Sequence, residues 1–197
     1  MFRYAKLGAM GGNQNCLEKG VIMDERINKV AVLANRAIYD LEETRKYIDG
    51  APHIKHSVPM NLYGKLVVAI YDFALRHTST LEVLDLGARE GSVTLPFLEL
   101  GARIKAVDIS ESQLTALQAK CAKYAGKLEL QCEDVFNAIT LIQREGRQYD
   151  IIVANSLLHH VPDYIGLIRE AIVILSPHGY SFHFKIHQDM IPLDDLL

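Results

Sequence analysis

From Leu81 onward, short apolar runs alternate with stretches of helical periodicity, and this alternation restricts the fold more than any other feature of the chain. The expected strands cover 81–86, 103–107, 127–131, 149–154 and 180–187, and the helices between them cover 92–100, 110 to about 124, 138–144 and 162–175. Apolar runs of this kind are buried on both faces. Units of strand, helix and strand close by right-handed crossovers into a parallel sheet with helices on both sides. The expected fold class is therefore α/β: a Rossmann-like, doubly wound, mainly parallel sheet. Ligands of such sheets sit beyond the carboxyl ends of the strands. That rule nominates the turn after Leu86, Asp108, the segment after Gln131 and the segment after Ala154.

Two helices precede the first of these strands. Ile27, Val30, Ala34, Ala37, Leu41 and Ile48 recur at helical spacing on one face, with Asp24 as N-cap and Gly50 as the C′ stop. Gly50 and Pro52 make 49–56 a loop. A second helix runs from about Pro59, with Leu62, Leu66, Val67, Ile70 and Phe73 on one side. Residues 1–20 hold four glycines and no periodicity, which reads as a flexible arm. With 197 residues, 49% of them hydrophobic, the chain suits one well-buried domain. A net charge of −3 and scattered Lys and Arg argue against a nucleic-acid partner. Cys16, Cys121 and Cys132 are odd in number and lack CxxC spacing, so neither a disulfide framework nor a metal site is expected. No apolar run approaches the ~20 residues of a membrane span. The expected protein is soluble and cytoplasmic, with no membrane partner.

Gly87 and Gly91 bracket a turn between the first strand and its helix, where a backbone without Cβ atoms can approach a ligand and free N–H groups face it. Asp108 follows Asp85 by 23 residues, at the tip of the next strand, which suits a carboxylate accepting from ribose hydroxyls. This much indicates a nucleoside. A dinucleotide fingerprint counted from Gly87 needs glycine where Arg89 stands, so a diphosphate would lose its close backbone contact.

The segment Val83-Leu84-Asp85-Leu86-Gly87-Ala88-Arg89-Glu90-Gly91 resembles the first motif of the class I S-adenosylmethionine-dependent methyltransferases, and Ala106-Val107-Asp108-Ile109-Ser110 the second. Cys132-Glu133-Asp134-Val135, Tyr149 to Asn155, Leu158-His159-His160-Val161-Pro162-Asp163 and Leu175-Ser176-Pro177-His178-Gly179 are similar to later segments of the same family. The likeness covers about 81–187. It implies the cofactor S-adenosyl-L-methionine, the product S-adenosyl-L-homocysteine and methyl transfer to an oxygen or nitrogen of a small-molecule acceptor. It further implies that Asp85 orients the methionine ammonium beside the Gly87 backbone, that Asp108 holds the ribose, and that Asp134 and Val135 meet the adenine. Ala88, Arg89, Gly91, Ile109 and Asn155 complete the implied cofactor-binding set. Arg89 departs from the small residue usual at its position, so its side chain either swings outward or covers the cofactor. The alternatives are a regulatory or catalytically impaired S-adenosylmethionine-binding protein and, more distantly, an NAD-dependent oxidoreductase.

His160 and His56 are the candidate bases, because imidazole titrates near neutral pH. The competing reading of His159 and His160 is that they cap or pack beside the helix starting near Asp163. Related enzymes close an N-terminal helical piece over the cofactor, which makes 21–80 a lid segment and Tyr47, His53 and His159 candidates for substrate or lid contact. His183 and His187 have metal-pair spacing only on a helix; on a strand they share a polar face with Ser181 and Lys185, and no metal is expected. The family's sheet normally adds two further strands, 6 and 7, which are missing from the remaining 188–197. The edge left open favours association, so a homodimer is expected through the C-terminal sheet edge or the N-terminal helices.

Overall fold

A computed structural model describes residues 2–5, 25–41 and 57–184. In chain order the elements are β1 (Phe2–Ala5), α1 (Glu25–Tyr39), α2 (Ser57–Ala74), β2 (Glu82–Leu86), α3 (Thr94–Glu99), β3 (Arg103–Asp108), α4 (Glu111–Lys120), β4 (Leu128–Cys132), α5 (Val135–Arg144), β5 (Tyr149–Asn155), α6 (Tyr164–Val173) and β6 (Leu175–Phe184). Short 3-10 turns cover Ala122–Lys127 and Leu158–His160.

The six strands form one sheet in the order β1-β6-β5-β2-β3-β4. The pairs β6-β5, β5-β2, β2-β3 and β3-β4 are parallel, and β1 lies antiparallel on β6. Alternation along the strands builds a core on each face. Val83, Ile104, Ala106, Ile151 and Val153 point to the side covered by Val67 and Ile70 of α2, Phe97 of α3 and Leu117 of α4. Leu84, Leu86, Val107 and Ile152 point to the side covered by Ile139 and Ile142 of α5 and Leu167 and Ala171 of α6. Burial on both faces is the reason for the apolar runs of the sequence. Lys105 is a buried charge at mid-strand; its ammonium pairs with Glu129 on the adjacent strand at 2.5 Å, and Arg147 meets the other Glu129 oxygen at 2.7 Å.

Four features differ from the sequence-based expectation. First, α1 stops at Tyr39 and not at Gly50, because Asp40 is captured from outside the helix: Ser110 Oγ donates to its Oδ1 at 2.5 Å. Second, the apolar face of α1 points outward, with Val30 66% and Leu33 65% exposed. Third, β6 begins at Leu175 and takes in the Ser176-Pro177-His178-Gly179 stretch that reads as a turn. A register shift between Tyr149 and Ile151 absorbs the irregularity, Ser176 Oγ donates to Asp150 Oδ1 at 2.9 Å, and Gly179 lets the Tyr149 carbonyl approach within 2.8 Å of where a Cβ would stand. Fourth, the edge of β6 expected to lie open carries β1, from Phe2↔His183 to Ala5↔Tyr180. Four residues of the expected arm are thus a strand, and α2 contributes Tyr63, Val67, Ile70 and Ala74 to the core. Cys16, Asp24, Tyr47, Ile48, Gly50, His53, His56 and His187 lie outside the described residues.

Candidate functional site

The carboxyl ends of β2, β3, β4 and β5 converge on one cavity. Its floor begins at the turn after β2. Gly87 has φ +72 and donates its N–H to the Val107 carbonyl at 2.9 Å, and a Cβ there would stand 3.0 Å from Leu157 Cδ1. Gly91, at φ +89, has no room for a side chain against Leu117. Arg89 holds a left-handed backbone, φ +51, although it is not glycine, a conformation that costs about 1–3 kcal/mol. The return is visible in its contacts: the Arg89 N–H donates to Asp108 Oδ2 at 2.8 Å, and the side chain lines the cavity with Nε buried and unpartnered.

Asp108 ends β3. Its Oδ1 accepts from the Ser110 N–H at 2.9 Å, so each carboxylate oxygen is fixed by one backbone donor and keeps a lone pair. Burial raises the Asp108 pKa, opposed by these backbone hydrogen bonds and by the Arg89 guanidinium. Beneath the turn lies Asp85, fully buried, with Oδ2 accepting from Thr94 Oγ1 at 2.6 Å and Oδ1 without a partner. Burial pushes its pKa up to about 7. Asp134 caps α5 through Oδ1, which accepts from the N–H groups of Phe136 at 3.0 Å and Asn137 at 3.2 Å. Val135 and Phe136 form the apolar wall beside it, and Leu157, Val161 and Pro162 the wall beyond β5.

The roof is α1, whose Asn28, Ala31, Val32, Asn35 and Tyr39 face the cavity. It is tied to both banks. Arg36 Nε donates to the Ile109 carbonyl at 3.2 Å and Asp40 accepts from Ser110 on the β3 side, while Asn35 Nδ2 donates to the His160 carbonyl at 3.1 Å on the β5 side. A carboxylate at a strand tip, a tight glycine turn and an apolar slot under a helix make a site for a polar-headed nucleoside. Residues 84–181, about half of the chain, match the family model described as methyltransferase domain.

The chain belongs to this methyltransferase-domain family.

The ubiquinone biosynthesis O-methyltransferase of Coxiella burnetii is 28% identical to it over 107 residues, which are 54% of this chain and 44% of that protein. The enzyme of the same name from Idiomarina loihiensis is 25% identical over 121 residues, 60% of this chain and 49% of that one. The chain therefore spans about half the length of these relatives. Among solved structures, magnesium protoporphyrin IX methyltransferase from Synechocystis PCC 6803, determined with bound SAM, has a TM-score of 0.56 at 18% identity, covering 74% of this chain and 72% of that one. A plantazolicin methyltransferase in complex with SAH has a TM-score of 0.62 at 16% identity, covering 83% and 61%. At these identities the likeness is one of fold.

Of the residues nominated from sequence, this methyltransferase domain brings Gly87, Arg89, Asp108, Ile109, Asp134, Val135 and His160 to the cavity wall. Asp85 and Ala88 are buried below it, Gly91 packs on Leu117, and Asn155 Oδ1 accepts from the Tyr63 hydroxyl at 3.2 Å. These four are not wall residues. The His159 ring is tilted by 44° against that of His160, with centroids 3.8 Å apart, and His159 is itself exposed. Sequence reasoning missed the wall residues of α1, Gln113 of α4, and Ser156, whose φ of +53 turns the chain after β5. The two Asn and the Tyr on one helical face were the available signal for α1.

Proposed function

We propose that the cavity binds S-adenosyl-L-methionine and that the protein transfers its methyl group to an oxygen or nitrogen of a small molecule, releasing S-adenosyl-L-homocysteine. The observation that carries this reading is Asp108 at the tip of β3, anchored by two backbone N–H groups and opening onto an apolar slot beside the Gly87 turn. The residues present fit the cofactor. The unpartnered Asp85 Oδ1 answers an ammonium reached through the glycine turn, the spare lone pairs of Asp108 answer two ribose hydroxyls, and Val135 answers an adenine face. Asp134, with one oxygen committed to capping, has its second oxygen for the adenine amino group. Arg89, Ile109 and the Ala88 backbone complete the binding set.

The bound cofactor supplies a sulfonium methyl whose leaving group is a neutral thioether. The work left to the protein is alignment and exclusion of water, which can supply most of the acceleration. Leu157, Val161, Pro162 and the roof helix α1 do this here. The naming of the relatives as O-methyltransferases favours oxygen as the acceptor atom, and a hydroxyl needs a base when it arrives protonated. His160 is the base proposed. Cys121 and Cys132 are free thiols, in keeping with a reducing, cytoplasmic setting, and a homodimer on the outward face of α1 belongs to the same reading.

Thermal-shift assays with S-adenosylhomocysteine and NAD test the cofactor: stabilisation by the former alone is expected, and stabilisation by NAD alone contradicts the assignment. Transfer of labelled methyl to a panel of phenols, alcohols and amines then separates an enzyme from a binder.

A further inference from the structure

The roof carries more chemistry than a lid requires. Three polar contacts hold α1 in place without the Tyr39 hydroxyl: Arg36 to the Ile109 carbonyl, Asn35 to the His160 carbonyl and Asp40 to Ser110. The hydroxyl instead meets an imidazole. Tyr39 Oη lies 2.8 Å from His160 Nε2, with the rings edge to face at 85° and their centroids 5.5 Å apart. Both side chains line the cavity. The backbone around His160 is fixed as well, since its N–H donates to the Leu157 carbonyl at 2.8 Å and its carbonyl accepts from Asn35. Burial raises the pKa of Tyr39, with the Arg89 cation opposing and the Asp108 carboxylate adding. The phenol therefore keeps its proton at neutral pH and has one to donate.

We propose that Tyr39 and His160 act as one proton-accepting unit for an acceptor hydroxyl, Tyr39 presenting its oxygen to the acceptor and His160 taking the charge. The inference rests on the methyl-transfer reading of the cavity. As the acceptor oxygen bonds to the methyl carbon, the carbon–sulfur bond breaks and its electron pair stays on sulfur as a neutral thioether. The acceptor's proton passes to Tyr39 Oη while the Tyr39 proton passes to His160 Nε2. The positive charge that began on sulfur ends on imidazolium, and Tyr39 is regenerated. Because Tyr39 belongs to the roof, the unit is complete only when α1 is seated.

The test compares Tyr39→Phe, His160→Gln and the double variant, with labelled S-adenosylmethionine and catechol as the probe, or whichever phenol, primary alcohol or amine of a fixed panel the wild-type protein methylates fastest. Each single substitution is expected to lower kcat by about 10²-fold, a typical contribution of a proton-transferring side chain. The double variant is expected to be no slower than the worse single, as for residues that act as a unit. S-adenosylhomocysteine affinity of Tyr39→Phe, by calorimetry, is expected to match wild type, since the three roof contacts remain. Nitrogen NMR of cofactor-free protein is expected to show His160 Nε2 unprotonated and accepting, a state that Tyr39→Phe perturbs. Wild-type kcat with weakened S-adenosylhomocysteine binding in Tyr39→Phe would make Tyr39 a latch and overturn the inference. Multiplicative effects in the double variant, turnover of amines only, or S-adenosylhomocysteine binding without methylation of any panel member would also overturn it. Wild-type protein that does not bind S-adenosylhomocysteine overturns the methyl-transfer reading beneath it.

Discussion

Asp85 sits with one oxygen on Thr94 and the other on nothing, and its burial holds the carboxyl at a pKa of about 7. An acid whose pKa is higher folded than unfolded binds more protons in the folded state between the two values, here from the ordinary 3.8 up to about 7. Its contribution to stability is thus complete at acidic pH and declines as pH rises through that window. Urea unfolding of wild type and Asp85→Asn at pH 5 and 7.5 should show a smaller loss of stability in the variant. Cofactor binding carries the same linkage. An ammonium beside Asp85 favours the carboxylate, so S-adenosylhomocysteine should release protons on binding near pH 6.5, and Asp85→Asn should release fewer. Calorimetry in buffers of different ionisation enthalpy measures this; identical proton release would remove Asp85 from the ammonium subsite. At this scale the sequence was most legible where strand ends dictate position, at Gly87, Asp108, Asp134 and Val135. It was least legible on α1. There the evident apolar stripe of Ile27 and Val30 faces outward, and the face that lines the cavity is the mixed one of Asn28, Val32, Asn35 and Tyr39.

Among the elements, α1 lines the cavity with five residues, Asn28, Ala31, Val32, Asn35 and Tyr39. Its ties are short, polar and partly exposed, and a typical hydrogen bond contributes only about 0.5–1.5 kcal/mol. Removing Asp40, which meets both Ser110 and Ser112, and Arg36 together should loosen the roof without touching the floor. Stopped-flow measurement of S-adenosylhomocysteine release from Arg36→Ala/Asp40→Ala should show roughly tenfold faster dissociation, on the order of two lost hydrogen bonds. An unchanged rate would mean that α1 does not cover the bound ligand. The helix end was not readable because Ala37, Leu41 and Ile48 continue the helical spacing; capture of Asp40 by a residue 70 positions away is a tertiary event. The start of β6 was hidden for a similar reason, since Asp150 holds Ser176 and the Tyr149 carbonyl packs where a Gly179 side chain would stand, in a strand that their types would leave as a turn. The central strands needed no such help. Their apolar runs answer directly to burial on two faces.

For the whole molecule, β1 closes the edge of a sheet whose other five strands are parallel. Four residues give too little pattern to read from sequence, and the edge they cover is of the kind that seeks another strand when bare. Deleting Phe2–Ala5 should therefore increase self-association in light scattering across a concentration series, and unchanged mass would show that β6 needs no cover. Among the described residues no helix is long and apolar enough to cross a membrane, and the layers on both sheet faces leave the strand-end cavity as the place where Gly87, Asp108, Asp134 and His160 meet. The claim that this cavity holds the cofactor is tested most directly by calorimetric titration of S-adenosylhomocysteine into wild type and Asp108→Ala. Saturable binding by wild type is expected, weakened in the variant by about 1.5–3 kcal/mol, the worth of hydrogen bonds to a charged partner. Absence of binding to wild type, or undiminished affinity in Asp108→Ala, would contradict it.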